Sequence, residues 1–213
     1  MQGLIGKKIG MTQVWDAAGR RVAVTVIEAG PCPVVQVKAP GKDGYAAAQL
    51  GFGTQAAKRL PKALAARYAQ AGVPPCRTLR EFRLDEGETV RVGDQATVAL
   101  FEGVKLVDVT ATSKGRGFAG VVRRFRMAGG PMTHGGHSKR RIGSIGCREF
   151  PGRVHKGKRM PGHMGHVQVT LQNLQVVQVR SAENLLLVRG AVPGAAGEIV
   201  VVRKALKKAG KAS

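Results

Sequence analysis

Apolar residues along the chain fall in short runs cut by turn residues, and most of those runs are rich in β-branched side chains. RRVAVTVIEAG (20–30) follows a turn at DAAG (16–19) and leads into PVVQVKAP (33–40). KDGY (42–45) then supplies an Asp-Gly turn into AAAQLGFG (46–53). Further strand-like runs are 88–101, 104–109, 167–180, 184–190 and 198–203. Branched side chains suit a pleated, half-buried surface. Many short strands at close spacing with glycine turns predict a mainly β fold, an antiparallel barrel or a sandwich. One short helix is predicted within LPKALAARYAQAG (60–72), stopped at Gly72 and followed by Pro74 and Pro75. No internal repeat is visible.

The pattern lapses between residues 111 and 165. That stretch holds 13 glycines and three prolines but only three aromatic residues, Phe118, Phe125 and Phe150. So little apolar surface cannot offset the entropy of ordering the chain, so a long, irregular loop is expected, mobile by itself. The predicted organisation is a discontinuous globular body, residues 1–110 and 166–213, carrying an extended arm, 111–165.

Charge separates the same two parts. The 213 residues carry 35 Lys and Arg against 13 Asp and Glu, a formal +22. The arm holds 13 of the basic residues and a single acid, Glu149, while the tail 203–213 adds five more with no acid. The remaining 147 residues are nearly balanced, with 17 basic and 12 acidic side chains. Excess charge of that size self-repels and normally exists because a polyanion neutralises it. A membrane surface fits poorly. No apolar run approaches the roughly 18 residues of a span, no helix pairs a basic face with a broad apolar one, and the first residues lack the apolar core of a signal peptide. The three cysteines, Cys32, Cys76 and Cys147, are widely spaced and suggest neither a disulfide framework nor a cysteine-rich zinc site. A reducing, cytoplasmic location is expected.

Several motifs in the arm invite other chemistry. Gly115, Gly117 and Gly120 spell G-x-G-x-x-G after a predicted strand. A dinucleotide site then needs a helix facing the pyrophosphate and an acid about 20 residues on. Here Arg123, Arg124 and Arg126 follow, Gly129, Gly130 and Pro131 stop any helix, and position 140 lies in KRR. GRVHKGKR (152–159) matches seven positions of a phosphate-binding loop, but Arg159 stands where a magnesium-holding hydroxyl belongs. All five histidines fall between residues 134 and 166: His134, His137, His155, His163 and His166. Two H-x-x-H pairs with Cys147 between them suggest zinc, yet the spacing is short and no carboxylate supports it. General acid–base catalysis has only Glu149 to work with in this stretch. The acids cluster instead at Glu81, Asp85, Glu86, Glu88 and Asp94, where they are expected to form a solvated face or to pair with Arg77, Arg80, Arg83 and Arg91.

Nucleic acid remains. No helix-turn-helix, zinc finger or basic zipper is present to read a DNA groove. A glycine-rich basic chain can follow phosphates closely and thread a folded RNA. Lys114, Arg116, Arg123, Arg124 and Arg126 are expected to line its outgoing limb. Lys139, Arg140, Arg141 and Arg148 lie about the approach to the tip, and Arg153, Lys156, Lys158 and Arg159 on the return. His134, His137 and His155 are candidates for stacking on bases or donating to phosphates.

These blocks also resemble a known family. GLIGKKIGMTQVWD, SKGRGFAGVVRRF, THGGHSKRRIGSIG, GRVHKGKRMPGHMG and NLLLVRGAVPG together look like the bacterial large-subunit ribosomal protein L-three family, along essentially the whole chain. The resemblance implies a six-stranded translation-protein-type β-barrel on the subunit surface. It implies a long loop entering the large-subunit ribosomal RNA towards the peptidyl transferase centre, an early role in assembly, and contacts with neighbouring ribosomal proteins. No cofactor, metal, small-molecule substrate or catalytic residue is implied. The loop tip falls at Cys147, Arg148, Glu149 and Phe150, where many bacterial relatives have a glutamine that is methylated and this chain has none. The alternatives are a zinc-dependent RNA-modifying enzyme and a free-standing nucleic-acid-compacting protein.

Overall fold

The computed structural model describes residues 1–16, 18–85 and 87–207. In chain order it contains β1 (Gly3–Trp15), β2 (Arg21–Ala29), β3 (Cys32–Lys38), α1 (Pro40–Asp43), β4 (Ala47–Thr54), α2 (Lys62–Ala71), β5 (Cys76–Arg83), β6 (Gln95–Ala96) and β7 (Leu106–Thr112). There follow β8 (Phe118–Ala119), α3 (Val121–Phe125), β9 (Gly162–His163), β10 (Gln168–Arg180), β11 (Leu185–Arg189) and β12 (Ile199–Lys204). Three single turns of 3-10 helix complete the described elements. The chain divides into two compact units, Met1–Thr112 with the chain from Gln168 onward, and Ser113–Val167.

The first unit is mainly β, and six strands close it into an antiparallel barrel in the order β1-β12-β7-β10-β11-β2. Of the two architectures that the strand pattern left open, the barrel is the one found. Val200 and Val202 of β12, Val107 and Val109 of β7, and Leu186 and Val188 of β11 are buried in its core. A second sheet, β5-β4-β3-β6, shares that core through Val34, Leu50 and Phe82. The helix expected near 60–72 is α2, with Gly72 in the left-handed conformation at its end.

Two strands lack an obvious pattern in the sequence. β1 contains three glycines and two lysines and bulges between Lys8 and Gly10. Leu4 and Ile5, consecutive residues pointing to opposite faces, are both fully buried. Lys8 is buried too, and its Nζ donates to the carbonyls of Val192 (2.7 Å) and Gly194 (3.1 Å). β5, CRTLREFR, carries three arginines and pairs along β4 from Thr54↔Cys76 to Ala47↔Arg83.

The strand expected over 88–101 does not form as such. Only Gln95–Ala96 is extended, and Val98–Phe101 is a 3-10 turn that buries Val98 and Phe101 in the core. Asp94 is the physical reason: its carboxylate accepts the Arg91 N–H (2.8 Å), and a side chain that bonds its own backbone competes with a strand ladder. Asp108 acts similarly in β7. Buried, it accepts the N–H groups of Asn173 (2.7 Å) and Leu206 (3.4 Å) and so holds the bulge of β10 between Leu171 and Leu174. Helices are also more numerous than expected, α1 and α3 being single turns beside α2.

The second unit starts as a paired neck. Ser113 N–H donates to Val167 O (2.9 Å), Arg116 N–H to Met164 O (2.8 Å), and Met164 N–H back to Gly117 O (2.9 Å). Gly165 permits this close approach: it has φ +77°, and a Cβ there would lie 2.2 Å from the Lys114 carbonyl oxygen. β8 and β9 continue the pairing. The chain then turns through α3, which buries Val121 and stops where Arg126 takes a left-handed conformation, before Gly129 is reached. Residues 130–139 close a loop through Gly130 N–H to Lys139 O (3.1 Å), and Gly129 has no room for a side chain against that same carbonyl. So the arm is less irregular than its composition suggests, because backbone pairing orders a chain that has almost no core of its own.

Candidate nucleic-acid interface

The arm's cations have little to do within the protein. Lys114, Arg116, Arg123, Arg126, Lys139, Arg140, Arg141, Arg148, Arg153, Lys156, Lys158 and Arg159 are all exposed, as are His134, His137 and His155. Among the described residues no arm cation is in an ion pair, every such pair lying in the first unit. The reason is compositional, since Glu149 is the arm's single acid and it too is exposed.

Arg124 is different. Its Nη1 donates to the Met160 carbonyl (2.8 Å), its guanidinium stacks on Phe125 (4.9 Å to the ring centre), and it packs against Gly162. Arg159 approaches the same ring at 5.8 Å. Arg124 therefore ties α3 to the returning limb, which a residue count could not distinguish from a free cation. The tip, Cys147 to Phe150, is bent and exposed, with Phe150 87% accessible. The histidines do not converge: among the described residues no three His, Cys, Asp or Glu side chains gather where they could hold a metal ion. The segment 152–159 has no strand before it or helix after it, only a turn closed by Lys158 N–H to His155 O (3.3 Å).

Of the two arrangements expected for the body's acids, Asp85, Glu88 and Asp94 are exposed as on a solvated face, and among the described residues none of the group forms an ion pair with Arg77, Arg80, Arg83 or Arg91. Glu81 bonds Lys38 Nζ (2.8 Å) and the Tyr45 hydroxyl (2.8 Å), and these two bonds hold its carboxyl below the ordinary range. Asp85 and Glu88 meet the Met1 amine instead. Glu86 lies outside the described residues. Burial pushes the Cys32 thiol up to about 12 and raises that of Cys76, whereas Cys147 is exposed. No described helix is long and apolar enough to cross a membrane.

Fold and surface thus define a class: a closed β-barrel protein bearing a polycationic, glycine-rich arm. Residues 88–184 match the model of the family Ribosomal protein L3. The large ribosomal subunit protein uL3 of Brachyspira hyodysenteriae is 48% identical over 211 residues, covering 99% of this chain and 97% of its own length. That of Deinococcus radiodurans is 50% identical over 208 residues, 97% of this chain and 96% of the relative. That of Citrifermentans bemidjiense is 48% identical over 206 residues, at 97% and 98% coverage. The chain belongs to the ribosomal protein L3 family, a structural family and not one of enzymes.

Proposed function

We propose that this protein is a structural constituent of the large ribosomal subunit in the cytoplasm, and that its arm binds large-subunit ribosomal RNA. The observation that carries this reading is the set of exposed arm cations with no carboxylate partner. Charges in that state gain most on a polyphosphate, whose condensed cations are released as they dock. Lys114, Arg116, Arg123 and Arg126 serve the outgoing limb, Lys139, Arg140, Arg141 and Arg148 the approach to the tip, and Arg153, Lys156, Lys158 and Arg159 the return. His134, His137 and His155 add donors and stacking faces. Arg124 positions the limbs. The barrel stays at the subunit surface among neighbouring ribosomal proteins, the arm reaches towards the peptidyl transferase centre, and binding helps to start subunit assembly. The residues contribute placement and charge neutralisation, with no bond made or broken by the protein.

Two measurements test this. Binding of the full chain to large-subunit RNA, titrated with salt, should weaken roughly 10³–10⁵-fold between 50 and 200 mM if some 6–10 phosphates are neutralised. A flat response removes the electrostatic account. In a sedimented lysate the chain should travel with large subunits. Recovery on duplex DNA and away from ribosomes would favour a compacting protein instead.

A further inference from the structure

A second group of cations lies far from the arm in sequence. Arg83 at the end of β5 and Arg203 in β12 line one cavity of about 360 Å³ in the body, together with Gln2, Tyr45, Glu81 and Phe82. Each guanidinium is laid on an aromatic face: Arg83 on Tyr45 at 4.3 Å from the ring centre, and Arg203 on Phe82 at 5.6 Å. Arg203 reaches its ring across Gly3, its cross-strand neighbour. A Cβ at Gly3 would lie 2.9 Å from the Arg203 Cγ and 2.3 Å from the Val202 carbonyl oxygen, so only glycine lets that stem lie flat. Neither arginine is in an ion pair among the described residues, and both are exposed.

The one carboxylate in the cavity wall is already engaged. Glu81 is shared between Lys38 and Tyr45, and Lys38 also sits 5.0 Å from the Tyr45 ring centre. The cavity is therefore cationic: Arg83 and Arg203 lie on rings, the charge of Arg83 also acts on the shared Glu81, and neither guanidinium donates a hydrogen bond among the described residues. A stacked guanidinium keeps its planar fork for paired bonds to the oxygens of an anion. Phe82 is buried and Tyr45 already carries Arg83 and Lys38, so the cavity offers a nucleobase little to stack on. A phosphate does have donors.

We propose that this cavity binds a backbone phosphodiester of RNA, a contact on the body separate from the arm. It rests on the reading that the chain binds ribosomal RNA. A long polyanion is favoured over a single protein carboxylate because Arg203 opens the acid-free tail, which continues through Lys204 and Lys207.

The test uses the full chain and large-subunit RNA, with salt-titrated binding and backbone footprinting. Arg83→Gln with Arg203→Gln should weaken binding about tenfold and lower the salt slope by about 0.7–0.9, the share of the one phosphate neutralised. It should expose a stretch of backbone that Lys139→Gln/Arg140→Gln/Arg141→Gln leaves protected. If the Gln pair folds poorly, Arg83→Lys with Arg203→Lys keeps charge and stem, and should retain the slope while losing part of the affinity. Unchanged affinity, slope and footprint in a folded pair variant, with the wild-type chain binding RNA normally, overturns the cavity site alone. So does a footprint unchanged while an acidic segment of a neighbouring protein loses affinity. A wild-type chain with no salt-dependent RNA binding overturns this site and the functional reading together.

Discussion

The barrel body and the arm use their residues in opposite ways. The body buries a large core that includes Leu4 and Val202 and a smaller cluster around Tyr68, and even its lysine and aspartate at positions 8 and 108 are spent on internal carbonyl and amide groups. The unit Ser113–Val167 buries only Ala119 and Val121 and keeps its cations, Arg124 excepted, exposed. Order in the body comes from area removed from water, order in the arm from backbone hydrogen bonds of the neck and a few clasps such as Arg124. The contrast teaches that residue type alone does not assign a role: a lysine is structural where carbonyls surround it and stays open to an outside anion where solvent does.

That contrast can be broken most sharply with two phenylalanines. Phe101→Ala in the core should cost about 3–5 kcal/mol of stability, whereas Phe150→Ala, at the exposed tip, should stay within about 0.5 kcal/mol. Thermal melting of both variants decides it, and similar losses would mean the tip is packed. Two lysines make the next comparison. Lys8→Met should destabilise by about 1.5–3 kcal/mol, the usual worth of hydrogen bonds from a charged donor, and leave the salt slope of RNA binding alone. Lys139→Gln should do the reverse, lowering that slope by about 0.7–0.9 with an unchanged melt.

Smaller effects probe the seams. Arg124→Ala removes a charged hydrogen bond and a ring contact worth roughly 1 kcal/mol. The Met164 amide, bonded to Gly117 across the neck, should then exchange about five- to tenfold faster, with the body's melting unchanged. The smallest effect is in pH. Lys38 and Tyr45 lower the Glu81 carboxyl, so its contribution is complete above the ordinary value of about 4.3 and fades as pH falls through the lower folded value. Melting followed from pH 6 to 2 should show a shallower acid loss in Glu81→Gln than in the wild type. Parallel curves would mean the pair contributes nothing.

Much of the body was legible locally. Branched runs marked β2, β3, β7, β10, β11 and β12, and Gly72 marked the end of α2. β1 was hidden because Gly3 and Gly6 answer to close approach and Lys8 to buried carbonyls, features that exist only once β12, β2 and the 190s loop are in place. The run 88–101 misled because alternation in sequence says nothing of Asp94 bonding the Arg91 amide. In the candidate site, composition located the exposed cations but could not separate Arg124, whose partners come from residues 160–162. Nor did it bring Arg83, expected to pair with the nearby acids, together with Arg203 at the head of the basic tail, since the two stand 120 positions apart.

The amino-acid order by itself determined a mainly β body, one principal helix and a polycationic, glycine-rich arm, because periodicity, turn chemistry and charge density are properties of neighbouring residues. Closure of the barrel was decided only in three dimensions. Gly3 pairs with Arg203 across almost the whole chain, and that register depends on every strand between them being packed. The same closure brings two stacked arginines to one cavity, a juxtaposition that no local pattern encodes, since its energy resides in contacts between residues some 120 positions apart.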